Sequence, residues 1–338
     1  MILDGQSPQA IAAAASALRH GDLLGLPTET VYGLAADAGN DVAVAKIFAA
    51  KGRPANHPLI VHVAGAQEVV RFASQVPAFA QKLIDAFWPG PLTLILPRRS
   101  EMAAVAAGGQ NSVGLRCPSH PTARAVMQAA QALGVYGVAA PSANLFGRVS
   151  PTTAAHVAEE FGDDLLIIDG GACEVGIEST IVDCTRAAPV MLRPGALTPQ
   201  QLSDVCGVAV ITPDRPDLEA PRASGTLASH YAPLAKVRLM TRAEIDEAVN
   251  AQAQLAQGGD LTGRVAVWSR HPLQLGPSDS LRWQAMPQSA PACAHQLFAQ
   301  LRAFDAQGVA QIWVEMPPLT PEWEGVRDRL TRAATPSR

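Results

Sequence analysis

The sequence has no C-x-x-C pair, no G-x-x-x-x-G-K-[ST] loop, no lysine-rich run and no apolar stretch of membrane-spanning length. Each absence removes a class of protein. The five cysteines (Cys117, Cys173, Cys184, Cys206, Cys293) are scattered, with no histidine at ligand spacing, so a structural zinc site and a disulfide framework are both disfavoured. Buried free thiols are the simpler reading. Crossing a bilayer takes roughly 20 apolar residues. Residues 11–18 are fewer, alanine-rich and preceded by no basic segment, so they read as folded chain and not as a signal peptide. The expectation is a cytoplasmic protein with no membrane partner. A net charge of -4, with charged residues at 17%, offers no broad basic face for nucleic acid.

What is present points to two domains, because 338 residues exceed what one hydrophobic core usually organises. Residues 1–207 alternate helical and extended patterns. Helices are expected over 8–20, 41–50 (capped by Asp41), 77–87, 121–133 and 152–161. Strands are expected over 23–26, 59–63, 92–96, 113–116, 135–139, 165–169 and 179–182. Such alternation implies an α/β fold with a mixed or largely parallel sheet. Residues 208–235 hold Pro213, Pro216, Pro221 and Pro233 with little apolar periodicity, and read as a linker. Residues 236–338 then give strands (237–240, 265–268, 311–315) and helices (242–257, 293–304, 322–334), a smaller α/β domain without a G-x-G-x-x-G fingerprint.

Several segments carry candidate chemistry. PTETVYGL (27–34) follows a predicted strand, where two threonines and a glycine suit either a binding turn or a plain connection. In KGRP (51–54), Lys51 and Arg53 can clamp phosphate oxygens or simply cap a helix end. His62 alternates with apolar neighbours and reads as an interior histidine. FWPGPLT (87–93) reads as a rigid turn. Arg116 leaves an apolar strand and needs an anion, from the protein or from a ligand. APSAN (140–144) and GRVSPT (147–152) bring small residues, Ser142, Asn144 and Ser150, with Ser150 also placed to cap a helix that has Pro151 at its first position. A helix N-terminus beside Arg148 would cradle phosphate. Lys51, Arg53, Arg116, Arg148 and Arg193 sit in otherwise uncharged surroundings and can converge on a compact polyanion such as a nucleotide triphosphate. Glu178 and Asp183 read as solvated or capping carboxylates, with acid/base or metal roles as the alternative. No Ser-His-Asp order, activated cysteine or metal-ligand cluster stands out. That fits an enzyme working by positioning and charge neutralisation.

Together and in this order, PTETVYGL, KGRPANHPLIVHV (51–63), FWPGPLT, VGLRCPSHP (113–121), APSANLFGRVSPT (140–152), IESTIVD (177–183) and LRPG (192–195) resemble the threonylcarbamoyl-AMP synthase family in its long, two-domain form. HYAP (230–233) and RLTRAA (329–334) resemble that form more weakly. The resemblance implies a YrdC-type twisted mixed sheet with flanking helices over 1–207, a linker acting as a lid over 208–235, and a Rossmann-like α/β domain over 236–338. It implies synthesis of threonylcarbamoyl-AMP and pyrophosphate from ATP, L-threonine and bicarbonate, with Mg²⁺ accompanying ATP and no protein-held metal. The product goes to a tRNA threonylcarbamoyl transferase complex that modifies tRNA next to the anticodon.

By the same resemblance Lys51 and Arg53 are catalytic. Thr30, His62, Arg116, Ala140, Ser179 and Thr180 hold L-threonine, and Arg53, His57, Ser142, Asn144, Ser150, Arg193 and Tyr231 hold ATP. Two departures stand out: the lysine the family places shortly before HYAP is missing, and His57 stands where asparagine is common. The alternative class is a double-stranded RNA or tRNA-binding module without adenylate synthesis; even for the enzyme, weak RNA binding is compatible with a local basic cleft. A hydrogenase-maturation carbamoyl-transfer enzyme would need acylphosphatase-like and zinc modules upstream.

Overall fold

The computed structural model describes residues 1–213, 220–226, 230–258, 264–273 and 281–335. Pro216, Leu227, Ala228 and Ser229 of the expected linker lie outside the described residues. The chain forms two compact units, Met1–Phe146 with Ser150–Thr226, and Gly147–Val149 with Leu227–Arg338.

Ten strands of the first unit make one sheet: β1 (Ile2–Asp4), β2 (Leu24–Leu26), β3 (Gly33–Asp37), β4 (Ile60–His62), β5 (Leu92–Pro97), β6 (Ser112–Arg116), β7 (Val138–Ala139), β8 (Leu166–Asp169), β9 (Thr180–Asp183) and β10 (Val190–Arg193). Their spatial order is β1-β8-β2-β3-β7-β4-β6-β5-β9-β10. β8 runs parallel to β1 and β2, β6 to β4 and β9 to β5, while the remaining pairs are antiparallel. This is the mixed α/β sheet that the alternating pattern implies. The helices are α1 (Pro8–His20), α2 (Asp41–Lys51), α3 (Val69–Phe72), α4 (Ala78–Phe87), α5 (Pro121–Ala132), α6 (Ala154–Phe161) and α7 (Pro199–Cys206).

Period-two alternation builds a core on each face of this sheet. Leu34, Ala36 and Ile167 enter one buried cluster with Val44, Ile47, Leu83 and Val157; Ala35 and Ile168 enter another with Ala14, Leu18, Val126 and Ala130. Helix ends follow local chemistry. Ser7 accepts from Ala10 N ahead of Pro8, and Gly21 closes α1 at φ 79°, a backbone conformation only glycine adopts without cost.

Two expected caps are corrected. Asn40, not Asp41, caps α2, because its side chain accepts from Ala43 N. Helix α6 begins at Ala154 under Thr153, whose hydroxyl accepts from His156 N, so Ser150 is not a helix cap and no helix starts at Pro151. The alternating pattern does not predict the strands β1, β3 and β10 or the helices α3 and α7. β1 is only three residues long and β3 reads as alanine-rich turn, yet α7 carries a full capping box between Thr198 and Gln201.

In the second unit β11 (Lys236–Met240), β12 (Val265–Ser269), β13 (Leu281–Ala285) and β14 (Gln311–Glu315) form an all-parallel sheet in the order β11-β14-β12-β13, with helices α8 (Arg242–Gly258), α9 (Ala290–Ala306) and α10 (Glu324–Ala334). Val265, Ala266, Val267 and Trp268 of β12 are all buried, as a parallel strand covered on both faces requires. Strand β13 was not expected; its residues LRWQA alternate with two polar positions. All five cysteines are buried thiols, four in the first unit and Cys293 in the second. No helix among the described residues is long and apolar enough to cross a membrane.

Candidate active site

The Pro27–Leu34 motif follows β2 and supplies both a turn and a binding surface. Thr28 makes the turn: its hydroxyl donates to Val31 O at 2.6 Å and accepts from Val31 N at 3.2 Å. Thr30, fully buried, receives Arg116 Nη1 at 2.8 Å on its hydroxyl. Arg116 ends β6 in register with His62 on β4. Its Nε donates to Gly90 O at 3.3 Å, so the rigid Phe87–Thr93 turn abuts the site, and its Nη2 lies 2.7 Å from Glu29 Oε1. Glu29 thus places a carboxylate of the protein beside Arg116. His62 is buried and, against the expectation of a satisfied interior histidine, its Nδ1 has no hydrogen-bond partner. Burial, then the Arg116 charge, pushes its pKa down to about 3, so the ring is neutral at physiological pH.

Lys51 ends α2 but does not cap it; Gly52, at φ 61°, does. The buried ammonium donates to Ser142 O at 2.6 Å and to Asn144 O. Burial, reinforced by the Arg53 charge, holds the Lys51 pKa well below the ordinary lysine range. The Pro141–Asn144 loop is also stitched to the first motif, with Leu34 N donating to Pro141 O and Ala143 N to Tyr32 O, both at 2.8 Å. Ala140 is buried beside it, its N–H donating to Ile60 O at 3.0 Å. Asn144 is 1% exposed and turns its amide nitrogen to Leu145 O at 2.7 Å.

Arg53 Nη2 donates to Pro58 O at 2.9 Å and to Ser224 Oγ at 3.2 Å, and its guanidinium lies 5.8 Å from the Phe146 ring centre. His57 packs edge-on against the same ring at 5.5 Å. Burial and then the neighbouring Arg53 and Arg222 charges lower the His57 pKa. Arg193, at the end of β10, donates through Nε and Nη2 to Ser179 O (3.1 and 3.0 Å) and through Nη2 to Ser179 Oγ (3.2 Å), while its Nη1 donates to Ser224 O at 2.8 Å. Ser179 shares a hydrogen bond of 2.7 Å with Thr93. Thr180 has its hydroxyl engaged by the Leu197 main chain, accepting at 3.1 Å and donating at 3.2 Å.

Ser150 donates to Glu178 Oε1 at 2.5 Å. Glu178 and Asp183 are both buried, which corrects the solvated reading; Asp183 accepts from Thr185 N and Oγ1 and pairs with Arg186 at 3.1 Å. Tyr231 belongs to the second unit, where its buried ring sits 5.3 Å from Phe298 and 5.5 Å from the Arg329 guanidinium. The first unit thus brings together Thr30, His62 and Arg116 on one side, and Lys51, Arg53, Ser142, Asn144 and Arg193 around neighbouring loops. Sequence reasoning missed Glu29 and Ser224. Glu29 had a signal, as the only charge in its motif; Ser224 had none. Among the described residues no group of three His, Cys, Asp or Glu is placed to hold a metal ion.

Comparison with known proteins agrees with the resemblance drawn from the motifs. The Sua5/YciO/YrdC family model, described as telomere recombination, matches residues 16–195, and a model described as threonylcarbamoyl-AMP synthase, C-terminal domain, matches residues 197–335. The threonylcarbamoyl-AMP synthase of Pyrococcus abyssi is 38% identical over 311 residues, covering 89% of this chain and 87% of that protein. Its Bacillus subtilis counterpart is 36% identical over 335 residues, covering 98% and 94%. A solved structure of P. abyssi Sua5 complexed with L-threonine aligns at a TM-score of 0.85 and 36% identity, over 96% of this chain and 94% of that one. The chain belongs to the threonylcarbamoyl-AMP synthase family.

Proposed function

We propose that this chain is an L-threonylcarbamoyladenylate synthase, a nucleotidyltransferase that makes threonylcarbamoyl-AMP and pyrophosphate from ATP, L-threonine and bicarbonate. The observation that carries the reading is the junction at Ser179. Ser179, just ahead of β9 and assigned to threonine, is gripped there by Arg193, assigned to ATP, so both substrate sides belong to one bonded assembly. The threonine ammonium first gives up a proton; the free amine then attacks the carbon of bicarbonate, a C–O bond breaks and water leaves, giving a carbamate. A carbamate oxygen then attacks the α-phosphorus of ATP, and pyrophosphate leaves. Arg53 neutralises phosphate charge, Arg193 couples the two sides, and Lys51 fixes the Ser142–Asn144 loop against which the nucleotide lies. Mg²⁺ enters with the substrate as MgATP.

The linker through Ser224 serves as the lid that keeps water from the mixed anhydride. The enzyme works in the cytoplasm and hands its product to a tRNA threonylcarbamoyl transferase complex. Pyrophosphate release by the purified chain tests the reading. It is expected to need both L-threonine and bicarbonate, and to collapse in a folded Arg53→Ala variant. Release indifferent to both substrates sinks the reading and turns attention to salt-dependent RNA binding.

A further inference from the structure

Glu29 stands between two threonines and carries the only charge of its motif. The residue is 2% exposed, and its carboxylate lies 2.7 Å from Arg116 Nη2. Yet neither carboxylate oxygen makes a hydrogen bond, and nor does Nη2: the ion pair is close but falls outside hydrogen-bonding geometry. A buried carboxylate ordinarily collects several donors, and one left short of them needs a physical reason. Arg116 has donated from Nε and Nη1 to Gly90 O and Thr30 Oγ1, which leaves further N–H groups of its five. His62, its register neighbour, is neutral and also lacks a partner at Nδ1.

The cluster therefore holds one positive and one negative charge side by side, both buried and both under-satisfied. A simple anion would complete Arg116 and be repelled by Glu29. A simple cation would do the reverse. A free α-amino acid, with a carboxylate and an ammonium one carbon apart, satisfies both. We propose that Glu29 is a specificity-determining residue that receives the α-ammonium of the amino-acid substrate while Arg116 meets its carboxylate. The proposal rests on the synthase reading and extends it. Thr30 and His62 then add neutral contacts, and an acid lacking the amine is rejected because it leaves the buried Glu29 carboxylate short of hydrogen-bond donors.

The test is calorimetric binding of L-threonine and of 2,3-dihydroxybutanoate, which has a hydroxyl in place of the amine, to the full chain. The unaltered protein is expected to prefer threonine by about 10- to 150-fold, the range for a hydrogen bond to a charged group. In Glu29→Gln that preference shrinks to within about threefold, through loss of threonine affinity and not of analogue affinity. If both ligands weaken together and the preference survives, Glu29 only holds Arg116 in place and the proposal is overturned. Should Glu29→Gln not fold, Glu29→Asp keeps the charge at shorter reach. Threonine alone is then expected to weaken, and an equal loss for the analogue overturns the proposal. A chain that neither binds threonine nor releases pyrophosphate refutes the synthase reading itself. Intact pyrophosphate release with an unchanged preference in the variant refutes the role of Glu29 alone.

Discussion

The ammonium of Lys51, at the end of α2, donates to the main-chain carbonyl of Ser142 at 2.6 Å and to that of Asn144. A buried lysine that grips two carbonyls of one loop is a clamp first and a charge second. Lys51→Ala leaves both acceptors buried without that donor, at a cost of about 1–3 kcal/mol. Thermal unfolding should show the loss, and the KM for ATP should rise as the loop slackens. A fall in kcat with unchanged melting temperature and KM would instead place the ammonium on the reacting phosphate.

Arg193 and Arg53 both touch Ser224, but only Arg193 also holds Ser179. Replacing each by lysine keeps the charge and loses the planar fork. Arg193→Lys is expected to raise KM for threonine and ATP together, by roughly tenfold each, while Arg53→Lys raises KM mainly for ATP. Steady-state kinetics with each substrate varied separately distinguishes the two. Equal patterns for both variants contradict the assignment.

His62 gives the fold an acid limit. Its folded pKa of about 3 lies below the ordinary 6.5, so below 6.5 the unfolded chain binds a proton that the folded chain refuses. The stability this neutral ring contributes is complete above 6.5 and is lost as the pH falls from 6.5 towards 3. The slope is at most about 1.4 kcal/mol per pH unit. Melting curves across that window should flatten in His62→Gln, provided the variant folds; an unchanged slope removes His62 as the cause.

Gly195 of the LRPG turn lies against β9, where a Cβ would meet Thr180 N at 2.4 Å and Thr180 Oγ1 at 2.7 Å. Gly195→Ala must push strand and turn apart, costing about 1–3 kcal/mol. Because the displaced strand follows Ser179, activity should fall more than the lost stability alone explains. A variant with native melting temperature and native activity would show that the turn relaxes freely.

Much of the fold was legible because long elements announce themselves. The caps and periodicity of α1 and the apolar runs of β5 and β6 belong to the chain locally. β1, with three residues, exists only because β8 pairs with it, and β3 has an alanine-rich sequence that becomes a strand between β2 and β7. Pairing is a property of two segments, so neither alone shows it. The site divides the same way. Lys51, Arg53, Ser142 and Asn144 were visible as motif residues, but what Lys51 does depends on a loop far along the sequence. Glu29 was overlooked because a lone carboxylate between threonines resembles an exposed turn residue until its burial beside Arg116 is known.

The buried thiols give the molecule a built-in stopwatch. Burial raises the pKa of Cys117, Cys173 and Cys184 above the ordinary thiol value and pushes Cys293 up to about 12. A thiol so held is neither accessible nor ionised, and alkylating reagents attack the thiolate. Each cysteine can therefore react only when the structure around it opens. Mass-resolved labelling then times that opening separately at Cys293 in the second unit and at its counterparts in the first, with no probe added to the protein. If ATP and threonine slow labelling at Cys117 and Cys173 but not at Cys293, substrate rigidity is confined to the unit that carries the chemistry.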